Sequence, residues 1–322
     1  MLRWLTALAL AATAPAPVPV ARTKAEPILV ESVAFDARGR LIVSAVNAGG
    51  IFRLARDGAL VRWSKQPISG VPEFYGIVAD PARNALWAVT ACNVQAICKA
   101  QPRLPALVRL NLRSGRIEQI INGNDASKSF GDVAVGADGT VFVSDSGAGE
   151  VLKLAPGASE LARVVKLEGR ASPQGLAVSD DGDVLVFSNY SDGLHRIDLR
   201  SGAHTRLAAP ESVSLAGVDG VARRGNDLIV VRNGAAPARV IRVTLNGDWS
   251  AIVSTGVLAE GGALSEPTGG VARGDDFVFV SRSQWSDFGA DGRPASPIAP
   301  AIISRLRIPP ADSSAQGTRS GG

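Results

Sequence analysis

Residues that can do chemistry recur at the starts of six similar segments of this chain. In order, the starting residues are Glu31, Tyr75, Gly131, Gln174, Asp219, and Thr268 or Gly269. Two carboxylates and an amide would meet in a narrow space of low dielectric constant. The repulsion between the two negative charges must then be offset by a bound proton or cation. Oxygen ligands of this kind suit a hard cation, calcium first and then magnesium or manganese.

The spacing of these segments predicts the elements that bring the residues together. Successive starts are 44, 56, 43, 45 and 49 residues apart. Each repeat contains only strand patterns, and turns such as ADG, DDG and RDG carry the residues that tight hairpins need. Such a period is typical of a β-propeller. We therefore predict an all-β fold, a six-bladed β-propeller with four-stranded antiparallel blades. Its innermost strands would start in one ring around a central channel.

The sixth repeat offers only three strands, so a strand from elsewhere must complete its blade. Residues 27–30 (PILV) are strand-like and otherwise unpaired. We predict that this N-terminal strand closes the ring and removes an exposed sheet edge. Two long insertions, residues 92–105 and 283–300, fall between second and third strands. That connection lies on the face of the ring, where loops of this length are usually functional or disordered.

The termini and the composition predict an exported, single-domain protein. Arg3 precedes an apolar stretch from Trp4 to about Ala14 that is too short to span a membrane. We assign residues 1–25 to a signal peptide, with an uncleaved anchor as the alternative, 26–308 to the propeller and 309–322 to a disordered tail. The protein would be periplasmic or secreted, with no membrane span in the mature chain. Its net charge of +4 comes from scattered residues, which argues against nucleic-acid binding.

Two cysteines, Cys92 and Cys98, lie in one predicted loop. Export would place them in an oxidising compartment, where a small-loop disulfide is plausible. Two free thiols or half of a metal site are the alternatives. Neither histidine of the chain lies near them in the sequence, which argues against zinc at this loop.

The ring residues also have a structural interpretation. Carboxylates at strand ends often accept hydrogen bonds from backbone amides, and Glu31 and Asp219 could do the same. Glu31 and Asp219 occupy the same position in two different blades, and Gln174 occupies it in a third. We therefore favour a metal site formed by Glu31, Gln174 and Asp219.

Three short motifs resemble the gluconolactonase/regucalcin (senescence marker protein) family of six-bladed propellers. They are ESVAFD from Glu31, PQGLAV around Gln174 and VDGVAR around Asp219, within a resemblance that covers residues 28–308. In that family a Glu, two Asn and an Asp hold a divalent cation in the channel. The resemblance places the Glu at Glu31 and the Asp at Asp219.

The sequence departs from the family pattern at three positions. One Asn falls on Gln174, which keeps the amide but reaches further. The other falls on Gly131, which has no ligand atom, and strand alternation would point the neighbouring Asp132 away from the direction of Gly131. The substrate arginine of the family falls on Ser129.

The resemblance implies an exported, metal-dependent carboxylic ester hydrolase that acts on a small lactone or ester. The cation would be calcium, with magnesium, manganese or zinc as alternatives, and Asp219 would be the general base. Tyr75 would bind substrate or the developing oxyanion, or else plug the channel. Further predicted substrate contacts are Asp132, Asn189 and Arg232, the last two together with the residues that follow them, Tyr190 and Asn233.

Two other functions fit the same fold. The first alternative is a non-catalytic propeller, similar to NHL-type repeats, that binds a ligand or protein through its loop-rich face. A strictosidine-synthase-like enzyme is disfavoured because no residue points to an amine-aldehyde condensation.

Overall fold

The computed structural model describes residues 16–65, 73–93, 104–289, 293–294 and 297–310. Within these ranges the chain forms six four-stranded antiparallel sheets. The first strand of each sheet contacts the first strand of the next, and the contact between the first and sixth sheets completes the circle. The predicted six-bladed β-propeller is therefore confirmed. No helix in the described ranges is long and apolar enough to cross a membrane.

In blades one to five the strands follow chain order from the channel outward. Blade one contains β2 (Val30–Phe35), β3 (Leu41–Ala45), β4 (Gly50–Leu54) and β5 (Leu60–Arg62). Blade two contains β6 (Glu73–Asp80), β7 (Ala85–Ala91), β8 (Ala106–Asn111) and β9 (Ile117–Asn122). Blade three contains β10 (Phe130–Val135), β11 (Val141–Asp145), β12 (Glu150–Leu154) and β13 (Ala162–Lys166).

The remaining blades follow the same plan. Blade four contains β14 (Pro173–Val178), β15 (Val184–Asn189), β16 (Gly193–Asp198) and β17 (His204–Arg206). Blade five contains β18 (Val218–Arg224), β19 (Asp227–Arg232), β20 (Arg239–Leu245) and β21 (Ile252–Glu260). Blade six contains β22 (Gly270–Arg273), β23 (Asp276–Arg282), β24 (Ile302–Arg307) and, outermost, β1 (Val18–Arg22). Two short 3-10 turns lie at Pro81–Arg83 and Trp285–Asp287.

An N-terminal strand closes the ring, as predicted, but a different segment supplies it. Strand β1 pairs antiparallel with β24, whereas Val30, in the segment expected to close the ring, opens the inner strand β2. The propeller therefore begins at Val18 and not at residue 26, because Val18–Arg22 pairs with β24 while Val30 is already part of the inner strand β2. A signal peptide that ended at residue 25 would remove this strand. A signal peptide remains a prediction, and it would have to end before Val18.

A β-bulge recurs where the inner strands begin. In β2, β6, β10, β14 and β18 the register with the second strand shifts once, so that two residues oppose one. The bulged pairs are Glu31–Ser32, Tyr75–Gly76, Gly131–Asp132, Gln174–Gly175 and Asp219–Gly220. A bulge bends its strand and redirects side chains, so both members of a pair can face the channel.

The core lies between neighbouring blades. Between blades three and four, for example, Phe142, Val151, Leu185 and Phe187 pack together as buried side chains. At the bulges, however, the blades approach too closely for side chains. A Cβ atom on Gly175 would lie 2.4 Å from the backbone nitrogen of Val221 in blade five. Glycine at this position therefore lets adjacent inner strands pack backbone against backbone.

Candidate functional site

The starts of the inner strands surround a cavity of about 230 Å³. All six blades contribute to its wall. Its lining residues are Glu31, Ser32, Tyr75, Gly76, Asn93, Ser129, Gly131, Asp132, Ser146, Gln174, Asp219, Gly220, Gly269 and Trp285. The predicted ring is thus brought together. Asn93 and Trp285 come from the two long insertions, so one described residue of each insertion lies at the ring face.

Three carboxylates share this cavity, and no lysine, arginine or histidine lies among its described lining residues. Burial and the negative charge of Asp219 raise the pKa of Glu31 to about 8, with a smaller contribution from Asp132. Burial is also the largest cause for the other two, raising the pKa of Asp132 to about 7 and that of Asp219 to about 6. The cluster must hold protons or a cation near neutral pH.

Neighbouring side chains orient two of these carboxylates. The indole Nε1–H of Trp285 donates to Oε2 of Glu31 at 2.7 Å. The amide Nδ2–H of Asn233 donates to Oδ2 of Asp219 at 2.7 Å and to the carbonyl of Pro267 at 3.0 Å. Each carboxylate is therefore held through one oxygen, while no hydrogen bond to the other oxygen is seen in the described part of the chain.

Asp132 corrects an expectation from strand alternation. Its carboxylate lines the cavity instead of pointing away from it. The reason is the bulge: Gly131 and Asp132 together oppose Ser144, whose hydroxyl accepts the Asp132 N–H at 2.8 Å. Blade three has no ligand atom at Gly131, but it supplies a carboxylate one residue later.

Gln174 fills part of the space that Gly131 leaves open. Its Nε2–H donates to the hydroxyl of Ser172 at 2.8 Å. Its Oε1 lies 3.1 Å from the place that a Cβ atom of Gly131 would take. The amide oxygen is thus directed into the cavity, and the longer reach of glutamine compensates for the missing side chain in blade three.

Tyr75 is buried and contacts a further acidic residue, Glu73, which does not line the cavity. Its hydroxyl donates to Oε2 of Glu73 at 2.9 Å, and the same oxygen accepts the Asn93 N–H at 2.6 Å. Burial, followed by the charge of Glu73, raises the pKa of Tyr75 well above its ordinary value. The phenol therefore stays protonated, and because its proton is used by Glu73 it faces the cavity as a hydrogen-bond acceptor.

Asn189 and Arg232, both predicted substrate contacts, do not line the cavity. Asn189 is buried, accepts the Ser172 N–H at 2.8 Å and donates to Asp192. Arg232 is buried and donates to the carbonyl of Pro237 at 2.9 Å. Both are the last residues of their strands, and their side chains support the turns that follow.

The sequence analysis missed Asn93 and Trp285 as site residues, whereas Tyr190 and Asn233 belong to the two predicted strand-end pairs. Asn233 and Tyr190 directly follow the two strand-end residues Arg232 and Asn189, and the Tyr190 hydroxyl donates to Oδ1 of Asn233 at 3.0 Å. The second residue of each predicted pair therefore belongs to the chain of contacts that ends at Asp219. Asn93 and Trp285 lie in insertions, where no periodicity indicates side-chain direction.

Cys92 takes part in a disulfide bond, but Cys98 lies outside the described residues. The pairing of Cys92 with Cys98 therefore stays a prediction.

The donor chemistry of the cavity suits a hard cation, although the three carboxylates do not form one compact cluster. In the described ranges no group of three His, Cys, Asp or Glu side chains lies close enough to hold a metal ion. A shared ion would instead have two carboxylates, Glu31 and Asp219, and the amide oxygen of Gln174. Gln174 fits this role because its Nε2 is already bonded to Ser172.

Comparison with known proteins identifies the architecture. No model of a known protein family matches the sequence, and no curated protein matches it. The fold is that of known propellers. A gluconolactonase from Xanthomonas campestris is 17% identical with a TM-score of 0.57, and the match covers 93% of this chain and 99% of that one.

Other propellers are as similar. A PQQ-bound aldose sugar dehydrogenase from Streptomyces coelicolor is 16% identical with a TM-score of 0.63, covering 92% of this chain and 99% of that chain. A chain of a nidogen/laminin complex is 14% identical with a TM-score of 0.55, covering 86% of this chain and 95% of that chain. Similarity at this level establishes the shared fold, and function has to be argued from the site.

Proposed function

We propose that the cavity is the active site of a hydrolase that acts on a small lactone or ester with the help of a divalent cation. The observation that carries this proposal is the convergence of Glu31, Asp132 and Asp219 in one cavity without a cationic side chain. The volume of about 230 Å³ lies below the roughly 300–1,000 Å³ of sites for drug-sized ligands, which favours a small substrate.

Glu31, Gln174 and Asp219 would hold the cation, calcium by preference because all three offer oxygen. When bound, it would supply Lewis-acid polarisation of the substrate carbonyl. Magnesium, manganese and zinc are the alternatives to be compared.

The carboxylates divide the proton transfers between them. Asp219, whose pKa of about 6 is the lowest of the three, is ionised at neutral pH and takes a proton from the attacking water. Asp132, with a pKa of about 7, returns a proton to the departing alkoxide oxygen. The water oxygen bonds to the acyl carbon and the acyl–oxygen bond of the substrate breaks. An ester then gives an acid and an alcohol, and a lactone gives one hydroxy acid. Asn233 positions Asp219, and Tyr75 accepts a hydrogen bond from a substrate hydroxyl.

The decisive experiment is a panel of small lactones and aryl esters assayed with calcium, magnesium, manganese or zinc after chelation. We expect hydrolysis that the chelator abolishes and a cation restores. Asp219→Asn should lower kcat at least about a hundredfold, since a general base contributes on the order of 10²–10⁴. Glu31→Gln should weaken cation binding. Asp248→Asn, on the exposed turn after β20, is the matched control and should retain activity.

Two outcomes would contradict this proposal. If a cation binds but no substrate of the panel is hydrolysed, the non-catalytic propeller is favoured. A wild-type protein with neither turnover nor a thermal shift on cation addition would remove both the hydrolase and the cation site.

We also propose that the protein is exported. Mass spectrometry of the mature N-terminus from the native host should find a cleavage site before Val18, because β1 is part of the propeller.

A further inference from the structure

A second cavity, of about 660 Å³, lies between blades six and one on the face opposite the carboxylates. Phe35, at the end of β2, lines it, whereas Glu31, at the start of the same strand, lines the carboxylate cavity. Its other walls come from β1, β3, β4, β22, β23 and β24 and from the turns between them. We call this cavity the closure groove, because it lies where β1 completes the ring.

The floor of the closure groove is apolar. Ala21, Phe35, Leu41, Leu54 and Val278 form it. These side chains belong to the core between blades six and one or pack against it. Phe35 and Leu41 are only half-buried, so hydrophobic surface remains available to a ligand.

The rim of the closure groove is strongly basic. Five arginines line it together with one carboxylate, Asp276; they are Arg22, Arg40, Arg56, Arg273 and Arg305. Arg40 is paired with Asp36 at 2.6 Å, and Arg305 lies 3.9 Å from Asp276.

Three of these guanidinium groups have no ion pair with any described residue: Arg22, Arg56 and Arg273. Arg273 lies over the ring of Phe35, with its guanidinium carbon 4.6 Å from the ring centroid. A cation–π contact of this kind leaves the edge of the guanidinium free to donate hydrogen bonds. Positive charge and apolar surface therefore meet at one point of the groove.

We propose that the closure groove binds the anion of a medium- or long-chain fatty acid. The alkyl chain lies on the floor between Leu54 and Val278, and the carboxylate bonds to Arg273 and Arg56. A carboxylate matches the donor fork of arginine, and the volume of the groove is within the usual range for small-molecule sites. This site is independent of the proposed hydrolase activity, since none of its residues lines the carboxylate cavity.

Calorimetric titration tests whether the alkyl chain binds to the apolar floor. The ligands are octanoate, decanoate and dodecanoate, each below its critical micelle concentration. Affinity should rise about fourfold per added methylene, the equivalent of the usual gain per buried CH₂. Decanol should bind at least about tenfold more weakly than decanoate because it lacks the charge. This comparison uses the unmodified protein and needs no variant.

A double variant, Arg56→Gln with Arg273→Gln, tests the rim. It should bind decanoate at least about tenfold more weakly with an unchanged melting temperature in the absence of ligand, because both side chains are exposed. Arg113→Gln, on the exposed turn after β8, is the matched control and should bind as the wild type does. The proposal would be overturned if decanoate and decanol bound with equal affinity, or if Arg113→Gln lost as much affinity for decanoate as the double variant. It would also be overturned if the protein bound only to anionic phospholipid vesicles.

Discussion

At the scale of single residues, the carboxylates depend on neighbours that hold one oxygen of each. Asn233 is the clearest case. Burial raises the pKa of Asp219 to about 6, and the hydrogen bond from Asn233 limits this rise. Tyr190 in turn donates to Asn233. The two residues act through Asp219 and are positioning residues in the proposed reaction.

Asn233→Leu should raise the pKa of Asp219, because the ionised carboxylate loses a hydrogen bond. The acidic limb of the pH profile of kcat/KM should move to higher pH, by roughly one unit. Tyr190→Phe, which keeps the Asn233–Asp219 bond, is the control and should shift the limb less. An unshifted profile in Asn233→Leu would show that Asp219 is not the group that controls this limb.

At the scale of elements, the recurrent bulge decides which residues reach the channel. Its second position holds Ser32, Gly76, Asp132, Gly175 or Gly220. The small residues allow close backbone contact with the next blade, and blade three alone of these five uses the position for a carboxylate.

This arrangement predicts losses of stability of different size for a Gly→Ala substitution at two neighbouring bulges. Gly175→Ala should destabilise the protein by about 1–3 kcal/mol, because its Cβ would lie 2.4 Å from the backbone nitrogen of Val221. Gly131→Ala should cost much less, because the nearest atom is Oε1 of the Gln174 side chain at 3.1 Å. Urea unfolding measures both, and equal losses would contradict the close-approach argument.

At the scale of the whole molecule, strand β1 closes the ring. It covers the edge of β24 through the pairs Val18–Arg305 to Arg22–Ile302. An uncovered strand edge exposes backbone donors and acceptors that pair with other chains. Ring closure and solubility therefore depend on the same five residues.

Removal of residues 1–22 should lower the melting temperature and favour self-association, whereas removal of residues 1–15 should leave both unchanged. Thermal unfolding together with size-exclusion chromatography distinguishes the two truncations. Equal stability of the two would show that β1 contributes little to closure.

The half-buried carboxylates of the cavity also make stability depend on pH. The pKa values of Glu31, Asp132 and Asp219 are about 8, 7 and 6 in the folded protein, but near 4 in an unfolded chain. Between about pH 4 and pH 8 the folded state therefore binds more protons, so the free energy of unfolding falls as pH rises.

In the absence of divalent cations, the protein should be less stable at pH 8 than at pH 5 by at least about 1.4 kcal/mol, the equivalent of one pKa unit. Glu31→Gln should reduce this difference, and Glu160→Gln, at an exposed position, should not. Denaturant unfolding at both pH values measures the effect. A protein that gains stability from pH 5 to pH 8 would contradict the assignment of raised pKa values to the carboxylates of the cavity.

The sequence alone determined the number of blades, the positions of the inner strands and the ring that contains Glu31, Gln174 and Asp219. Hydrophobic strand patterns separated by turn residues repeat in every blade, and such local signals are sufficient to define strands and their order. The resemblance to gluconolactonases led to the same architecture.

Only the tertiary structure decided which side chains reach the cavity. The bulge redirected Asp132 towards the channel, the approach of blade four placed the Gln174 oxygen beside Gly131, and a loop distant in sequence brought Trp285 to Glu31. The strand that closes the ring was misassigned for the same reason, since two apolar segments near the N-terminus have similar strand propensity. Contacts between residues distant in sequence are set by packing, which no local pattern encodes.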